Sequence, residues 1–407
     1  MSQTATGTVA TVDFALSHNH ACRDGCTEPA CSERAIEGFC PVRSRRVPLG
    51  QALPWPLMDA QAQAQAQARD RARASVAVVI VNANAGEFLE QTLQALDRQT
   101  VRPERVIVVD NASTDGSAER LEERHADVEV HRQAENLGFA GGNNLGVRVA
   151  GDCRWIALLN PDAFAEPDWL EHLVDASKAN PGYSFFASRL LDASRPERLD
   201  GTGDVYHVSG LAWRRDHGLP VAEADRPQGE VFSPCAAAAL YDRKAFLEVG
   251  GFDESFFCYF EDSDLSFRLR LLGHRCLYVP EAVVHHVGSA TTGRVSGFTI
   301  YHSFRNEVWT WAKNMPRPLL LLYLPQHVLV NLLATAFYTA KGPRRAILAA
   351  QRDAIKGLPR VLRERRSVQA RRVVSAKELR SLMSGGLGAY RFAVQRALHL
   401  RRARKKA

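Results

Sequence analysis

Three short apolar runs, each closed by a polar cluster, constrain this chain more than any other feature. Val76 to Val81 is almost entirely β-branched and stops at Asn82. Arg105 to Val109 stops at Asp110, which opens the turn Asp110-Asn111-Ala112-Ser113-Thr114-Asp115-Gly116. Trp155 to Leu159 stops at Asn160-Pro161-Asp162. Runs this short and this uniformly apolar read as strands buried on both faces. Between the first two, Phe88, Leu89, Leu93 and Leu96 fall at helical spacing, and Pro103 closes that region. Strands alternating with helices predict an α/β fold around a mostly parallel sheet covered on both sides. Ligands of such sheets bind outside the carboxyl ends of the strands, and Asn82, Asp110 and Asp162 all stand there.

The same reading extends along the chain. It predicts a helix over about 117–124, a short strand near 128–130, and a Gly/Asn-rich loop over 136–144 leading into a helix. Residues 163–232 read as irregular, with an acceptor pocket expected in 190–232. A helix opens at Glu261, a strand runs over 282–286, and the chain is helical after residue 300.

Candidate chemistry follows from residue type and place. Asp110 could cap a helix or accept a hydrogen bond from a ribose or base, and Asn82 beside it favours binding. Gly138, Gly141 and Gly142, with Asn136, Asn143 and Asn144, permit close backbone approach to a ligand. The chain contains neither a dinucleotide-binding G-x-G-x-x-G run nor a Walker lysine motif. Dehydrogenase and P-loop ATPase functions therefore lose support. Asp162 is a single oxygen ligand of the kind a hard divalent cation uses beside phosphate and water. Of His285 and His286 only one can face the cleft, since strand side chains alternate; His286, beside the Val287-Gly288 turn, is the expected one. Glu261, Asp262 and Asp264 complement a helix dipole, and Asp264 pairs with Arg268 one turn on. Asp262 falls on the inward stripe of Leu265 and Leu269, which makes it a candidate general base.

Charge divides the chain. The 407 residues carry a net +7, yet residues 341–407 hold 20 Lys and Arg against Asp353, Glu364 and Glu378, leaving the remainder acidic. A basic tail calls for an anionic surface. After residue 340 the aromatics are Tyr390 and Phe392, too few to stack bases, so specific nucleic-acid binding is not expected. Residues 319–340 are apolar enough to span a bilayer, but Pro325, Gln326, His327 and Asn331 interrupt them. That favours a helix lying at the membrane surface. Residues 1–40 lack a secretory pattern, so the eight cysteines are expected to be reduced. Residues 1–74 read as a disordered Cys/Gln/Ala-rich extension, with Met58 an alternative start. The spacing of Cys22, Cys26, Cys31 and Cys40 is not a strong metal signature.

Taken in order, the motifs resemble those of inverting family 2 glycosyltransferases with the GT-A nucleotide-diphospho-sugar fold, rhamnosyltransferase-like members above all. The resemblance rests on Val108-Val109-Asp110-Asn111-Ala112-Ser113-Thr114-Asp115-Gly116-Ser117, Asn136-Leu-Gly-Phe-Ala-Gly-Gly-Asn143 and Leu159-Asn160-Pro161-Asp162. Gly250-Gly251-Phe252-Asp253, Phe260-Glu261-Asp262-Ser263-Asp264-Leu265 and His286-Val287-Gly288 complete it. It implies a transferase domain over 75–315 and a helical, basic, membrane-associating region over 316–407. Asn82 and Asp110 would hold the base and ribose of a nucleotide sugar, and the 136–143 loop, with Asn136, Gly138 and Asn143, would cover it. Asp162 and His286 would bind Mg2+ or Mn2+ on the diphosphate. Asp262 would take the acceptor proton, with Glu261 and Arg268 in support. Asn160 replaces the first carboxylate of the family's D-x-D pattern.

The function this implies is transfer of a sugar, L-rhamnose from dTDP-rhamnose, to a lipid-linked or surface-polysaccharide acceptor on the inner face of the cytoplasmic membrane. The alternatives are a UDP-hexose-dependent, galactosyl-type transferase of the same fold or, from another class, a nucleic-acid-binding protein. A homo-oligomer is left open.

Overall fold

The computed structural model describes residues 73–288 and 296–386. The four N-terminal cysteines, the Gln/Ala run and the last basic residues lie outside them. The order is β1 (Arg73–Asn82), α1 (Glu87–Asp97), β2 (Arg102–Asp110), the single turn α2 (Leu121–Arg124), β3 (Val128–Arg132), α3 (Gly138–Val149), β4 (Trp155–Leu159) and β5 (Ala163–Ala165). Then come α4 (Trp169–Ala179), β6 (Phe185–Asp192), β7 (Arg195–Gly201), β8 (Asp204–Tyr206), β9 (Ala212–Arg214), β10 (Gly229–Val231) and β11 (Ala238–Asp242). The chain continues through α5 (Arg243–Glu248), α6 (Glu261–Leu271) and β12 (Cys276–His286) to four helices: α7 (Gly297–Asn314), α8 (Arg317–Lys341), α9 (Arg344–Ala370) and α10 (Ala376–Leu382).

Ten strands form one sheet in the order β10-β12-β6-β11-β4-β1-β2-β3, with β5 on β12 and β7 on β6. β3, β2, β1, β4, β6 and β12 run in one direction, while β11, inserted between β4 and β6, runs against them. The period-two geometry of β1 explains why both sheet faces are dry. Val76, Val78 and Ile80 pack with Leu89 and Leu93 of α1 and Leu173 of α4. Ala77, Val79 and Val81 pack on the other face with Val147 of α3 and Leu265 and Leu269 of α6. Each Val, Ile or Leu among them contributes roughly 1.5–3 kcal/mol of burial, so neither face of β1 tolerates a register slip.

Three local expectations are corrected. The Gly/Asn-rich stretch is not a loop: from Gly138 it is the helix α3. Its glycines let the helix lie directly on the sheet, since a Cβ on Gly146 would stand 2.2 Å from Val79. Residues 163–232 are not irregular, for they supply α4 and strands β5 to β10; short strands broken by Gly and Pro lack the clean alternation that sequence reading depends on. The helix expected over 117–124 shrinks to α2. Ser117 is tied instead to Asp115 through its amide (3.0 Å) and hydroxyl (2.6 Å), and Arg120 takes a left-handed φ of 53°.

The helices after residue 315 pack onto the preceding fold. Trp309 Nε1 donates to the Ala354 carbonyl at 3.0 Å. Arg365 donates to the Ala312 carbonyl at 2.9 Å, and Gln369 donates to the Asn314 carbonyl at 2.8 Å.

Candidate active site

The register of the parallel strands brings the first polar cluster together. Asn82 and Asp110 are partners at the ends of β1 and β2, and Asn82 Nδ2 donates to Asp110 Oδ1 at 3.0 Å. The same amide reaches Ser113 Oγ at 3.0 Å and Ser117 Oγ at 2.9 Å. Asn84, at φ 58°, accepts the Thr114 amide at 2.7 Å. The Asp110 turn is thus organised by side chains at the sheet rim, with Asp110 itself 6% exposed.

A second cluster forms where β4, β7 and β12 meet. His286 turns inward and is buried, whereas His285 turns away to Glu166 at 3.1 Å. His286 Nδ1 donates to Asp200 Oδ2 at 2.8 Å. That leaves Nε2 facing Asp162 Oδ1 at 3.4 Å and the Asn160 amide at 3.5 Å. Burial disfavours the imidazolium, but Asp162 and Asp200 outweigh it and raise the His286 pKa. Burial would raise Asp162 too, yet its bond to His286 holds it below the usual range. Asp200 is held further down, because Arg214, His217 and His286 together overcome its desolvation. The donor set, a carboxylate oxygen and an imidazole nitrogen oriented by a carboxylate behind it, fits Mg2+ or Mn2+. Among the described residues no group of three or more His, Cys, Asp and Glu is arranged to hold a metal ion.

Asp262 stands at the start of α6, beside the end of β4. Its Oδ2 accepts the Ala236 amide at 3.4 Å and its Oδ1 the Ser263 amide at 2.7 Å. One residue on, the Ala237 carbonyl accepts the Asn160 amide at 2.8 Å. Asp262 and Asp162 therefore hang from the same β4–β11 seam. Burial pushes Asp262 upward despite those amides and the nearby Arg214. Desolvation and the Asp262 carboxylate also raise buried Asp204, whose Oδ1 lacks a hydrogen-bond partner.

The turn that presents Asp262 is strained. Phe257, Tyr259 and Phe260 have φ of 65°, 69° and 67°, a region costing about 1–3 kcal/mol for each non-glycine residue. Asn306 of α7 holds it, donating to the carbonyls of Phe256 (3.0 Å), Cys258 (3.0 Å) and Tyr259 (2.7 Å). Arg305 donates to Ser255 and Phe256. Gly138 closes the other side, since its Cβ would lie 2.5 Å from the Phe257 carbonyl.

Some expected site residues have other occupations. Asn136 caps Gly138 N at 2.8 Å, and Asn143 donates to the Phe139 carbonyl within α3. Arg268 spends its guanidinium on Asp264 (2.8 Å) and the Val249 carbonyl (2.7 Å). Glu261 is buried with Oε2 unpartnered, and burial beside Asp262 pushes its pKa far up. Conversely, Asp200, Arg214 and His217 were missed as site residues. The signal available was a carboxylate, Asp200, just before the glycines Gly201 and Gly203, with Arg214, Arg215 and His217 a short way on in the chain.

A glycosyl transferase family 2 model matches residues 75–250. An N-acetylglucosaminyl-diphospho-decaprenol L-rhamnosyltransferase of Mycobacterium tuberculosis is 31% identical over 232 residues, 51% of this chain and 75% of the relative. The chain belongs to glycosyltransferase family 2 and has the GT-A fold. A glucosyl-dolichyl phosphate glucuronosyltransferase of Haloferax volcanii is 30% identical over 175 residues, 41% of this chain and 51% of that one. Among solved structures, GalNAc-T7 with UDP, GalNAc and Mn2+ aligns at a TM-score of 0.49 and 17% identity, over 60% of this chain and 48% of that one.

Proposed function

We propose that this glycosyltransferase is an inverting, divalent-cation-dependent enzyme that moves L-rhamnose from dTDP-rhamnose to a lipid-linked saccharide at the cytosolic face of the membrane. The observation that carries the reading is the pairing, on one strand seam, of the Asp162–His286 couple with the partly buried carboxylate of Asp262. Asn82 and Asp110 would receive the nucleoside at the neighbouring strand ends. Asp162 and His286 would hold the cation, which when bound neutralises charge on the departing diphosphate. Asp262 would accept the proton of the acceptor hydroxyl as its oxygen bonds to the anomeric carbon and the diphosphate leaves, in one displacement without a covalent enzyme intermediate. The raised pKa of Asp262 suits a base that must not be inertly acidic. The similarity to a decaprenol-linked rhamnosyltransferase supports the donor and the lipid-linked acceptor.

The test compares wild type with Asp262→Asn across dTDP-rhamnose and UDP-hexoses, in Mn2+ or Mg2+. Transfer is expected with dTDP-rhamnose and to fall by roughly 10²–10⁴ in the variant, while nucleotide-sugar binding, read by thermal shift, persists. Turnover unchanged in Asp262→Asn removes Asp262 from the role. Preference for a UDP-hexose replaces the donor but keeps the class.

A further inference from the structure

The outer face of α8 carries an apolar stripe from Leu321 to Leu333. Leu321, Leu322, Val328, Leu329, Leu332 and Leu333 recur at helical spacing, and Leu321, Leu322 and Leu332 are 60%, 65% and 62% exposed. Its inner face is bound to the body. His327 stacks on Trp311 with ring centroids 4.0 Å apart, and its Nδ1 lies 2.7 Å from the Ser209 carbonyl. Asn331 donates to Glu307 at 3.4 Å and accepts from Gln351 at 3.2 Å. Two of the polar residues that interrupt the sequence therefore point into the protein and leave the outer stripe intact. A continuous apolar stripe of this size marks a surface that meets something apolar.

Charge says what that is. Arg317 stands at one end of the stripe, and Lys341, Arg344 and Arg345 stand exposed at the other. The adjoining α9 exposes Leu348, Ile355 and Leu362, seven residues apart and so on one line of that helix, beside exposed Lys356, Arg363 and Arg366. Apolar stripes rimmed by cations fit an anionic lipid surface rather than the same, equally basic face of a second copy of this chain. The helix is long enough to cross a bilayer. Crossing, however, would carry Glu307, Arg305 and Lys313 of the attached α7 into hydrocarbon or tear His327 and Asn331 from their partners.

We propose that α8 lies in the plane of an anionic membrane, its Leu321–Leu333 stripe among the acyl chains and the basic flanks of α8 and α9 on the headgroups. This deepens the proposed function, resting on it only for the purpose of docking, namely access to a lipid-linked acceptor.

The test uses the full chain and vesicles of phosphatidylcholine with or without phosphatidylglycerol, read by flotation. Wild type is expected to float with the anionic vesicles and be released by alkaline carbonate. Leu322→Asp/Leu329→Asp/Leu332→Asp should weaken binding at least tenfold with an unchanged circular dichroism spectrum. Arg345→Glu/Lys356→Glu/Arg363→Glu should weaken it and reduce its salt dependence. Failure of wild type to bind, resistance to carbonate, or a dimer that the leucine variant dissociates without any vesicle binding overturns the proposal. Sugar transfer to a water-soluble acceptor without vesicles is measured in parallel. Its absence in a wild type that floats refutes the transferase reading alone, and its presence in a wild type that does not float refutes the docking alone.

Discussion

At the scale of single residues, the site is a set of ionisable groups whose environments push them apart. Asp200 is held deeply ionised by Arg214, while Asp262 and Asp204 are pushed toward neutrality by burial. Glu307, on α7 away from the strand ends, follows the same logic. It is buried, has only the Asn331 amide to offset desolvation, and its pKa is pushed up to about 8. His327, 4.0 Å away, is itself held neutral by burial and supplies no compensating charge. Since the folded pKa lies above the unfolded value, the native state binds the extra proton. Its stabilising effect is complete below the unfolded value of 4.5 and is lost as pH rises toward 8. Glu307→Gln should therefore flatten the stability–pH curve between these limits, by at most about 1.4 kcal/mol per pH unit. Urea melts of both proteins at pH 5 and pH 8.5 give the slopes, and parallel slopes would remove Glu307 as their source.

At the scale of elements, the Gly/Asn-rich α3 and the middle of α7 work as a vice on the Phe252–Phe260 segment. Asn144 makes a matched pair with the Phe252 backbone, donating to its carbonyl and accepting its amide, both at 2.9 Å. Asn306 closes the other side. Asn306→Ala would leave three carbonyls without that donor and release the strained turn. We expect a loss of about 2–4 kcal/mol and, if Asp262 is the base proposed above, a fall in kcat greater than any rise in KM, because Asp262 moves while Asn82 and Asp110 stay put. Asn306→Asp keeps the shape and removes the donors, so it should be no better than Ala. Full activity in Asn306→Asp would show that shape alone suffices.

At the scale of the whole molecule, α7 to α10 complete the core of the transferase fold. Phe256 packs with Trp309, Ala312 and Val361, while Tyr206, Phe232 and Phe267 pack with Trp311, Met315 and Leu319. A chain ending at residue 315 would expose these clusters and strip Lys313 of Glu364 and Asp253 of Arg360. It should be recovered as aggregate or without near-ultraviolet dichroism. A soluble, active truncation would show that the later helices are an attachment.

The positions of Asn82, Asp110 and Asp162 were legible because strand ends can be read from a short apolar run and the polar residue that stops it. Asp262 was legible as an inward carboxylate because helical spacing is a local property. Asp200 was not, since its approach to His286 joins residues 86 apart in sequence, across strands too short to announce their pairing. Nor could sequence show that 136–146 packs as a helix, because glycine is a loop signal until a sheet stands 2 to 3 Å from where its Cβ would be. By itself the sequence determined the alternation of elements, the residue types at the sheet rim and the basic tail. Only the tertiary structure decided which nitrogen of His286 faces Asp162, what holds the Asp262 turn, and which side of α8 is left apolar, because each depends on contacts between segments far apart in the chain.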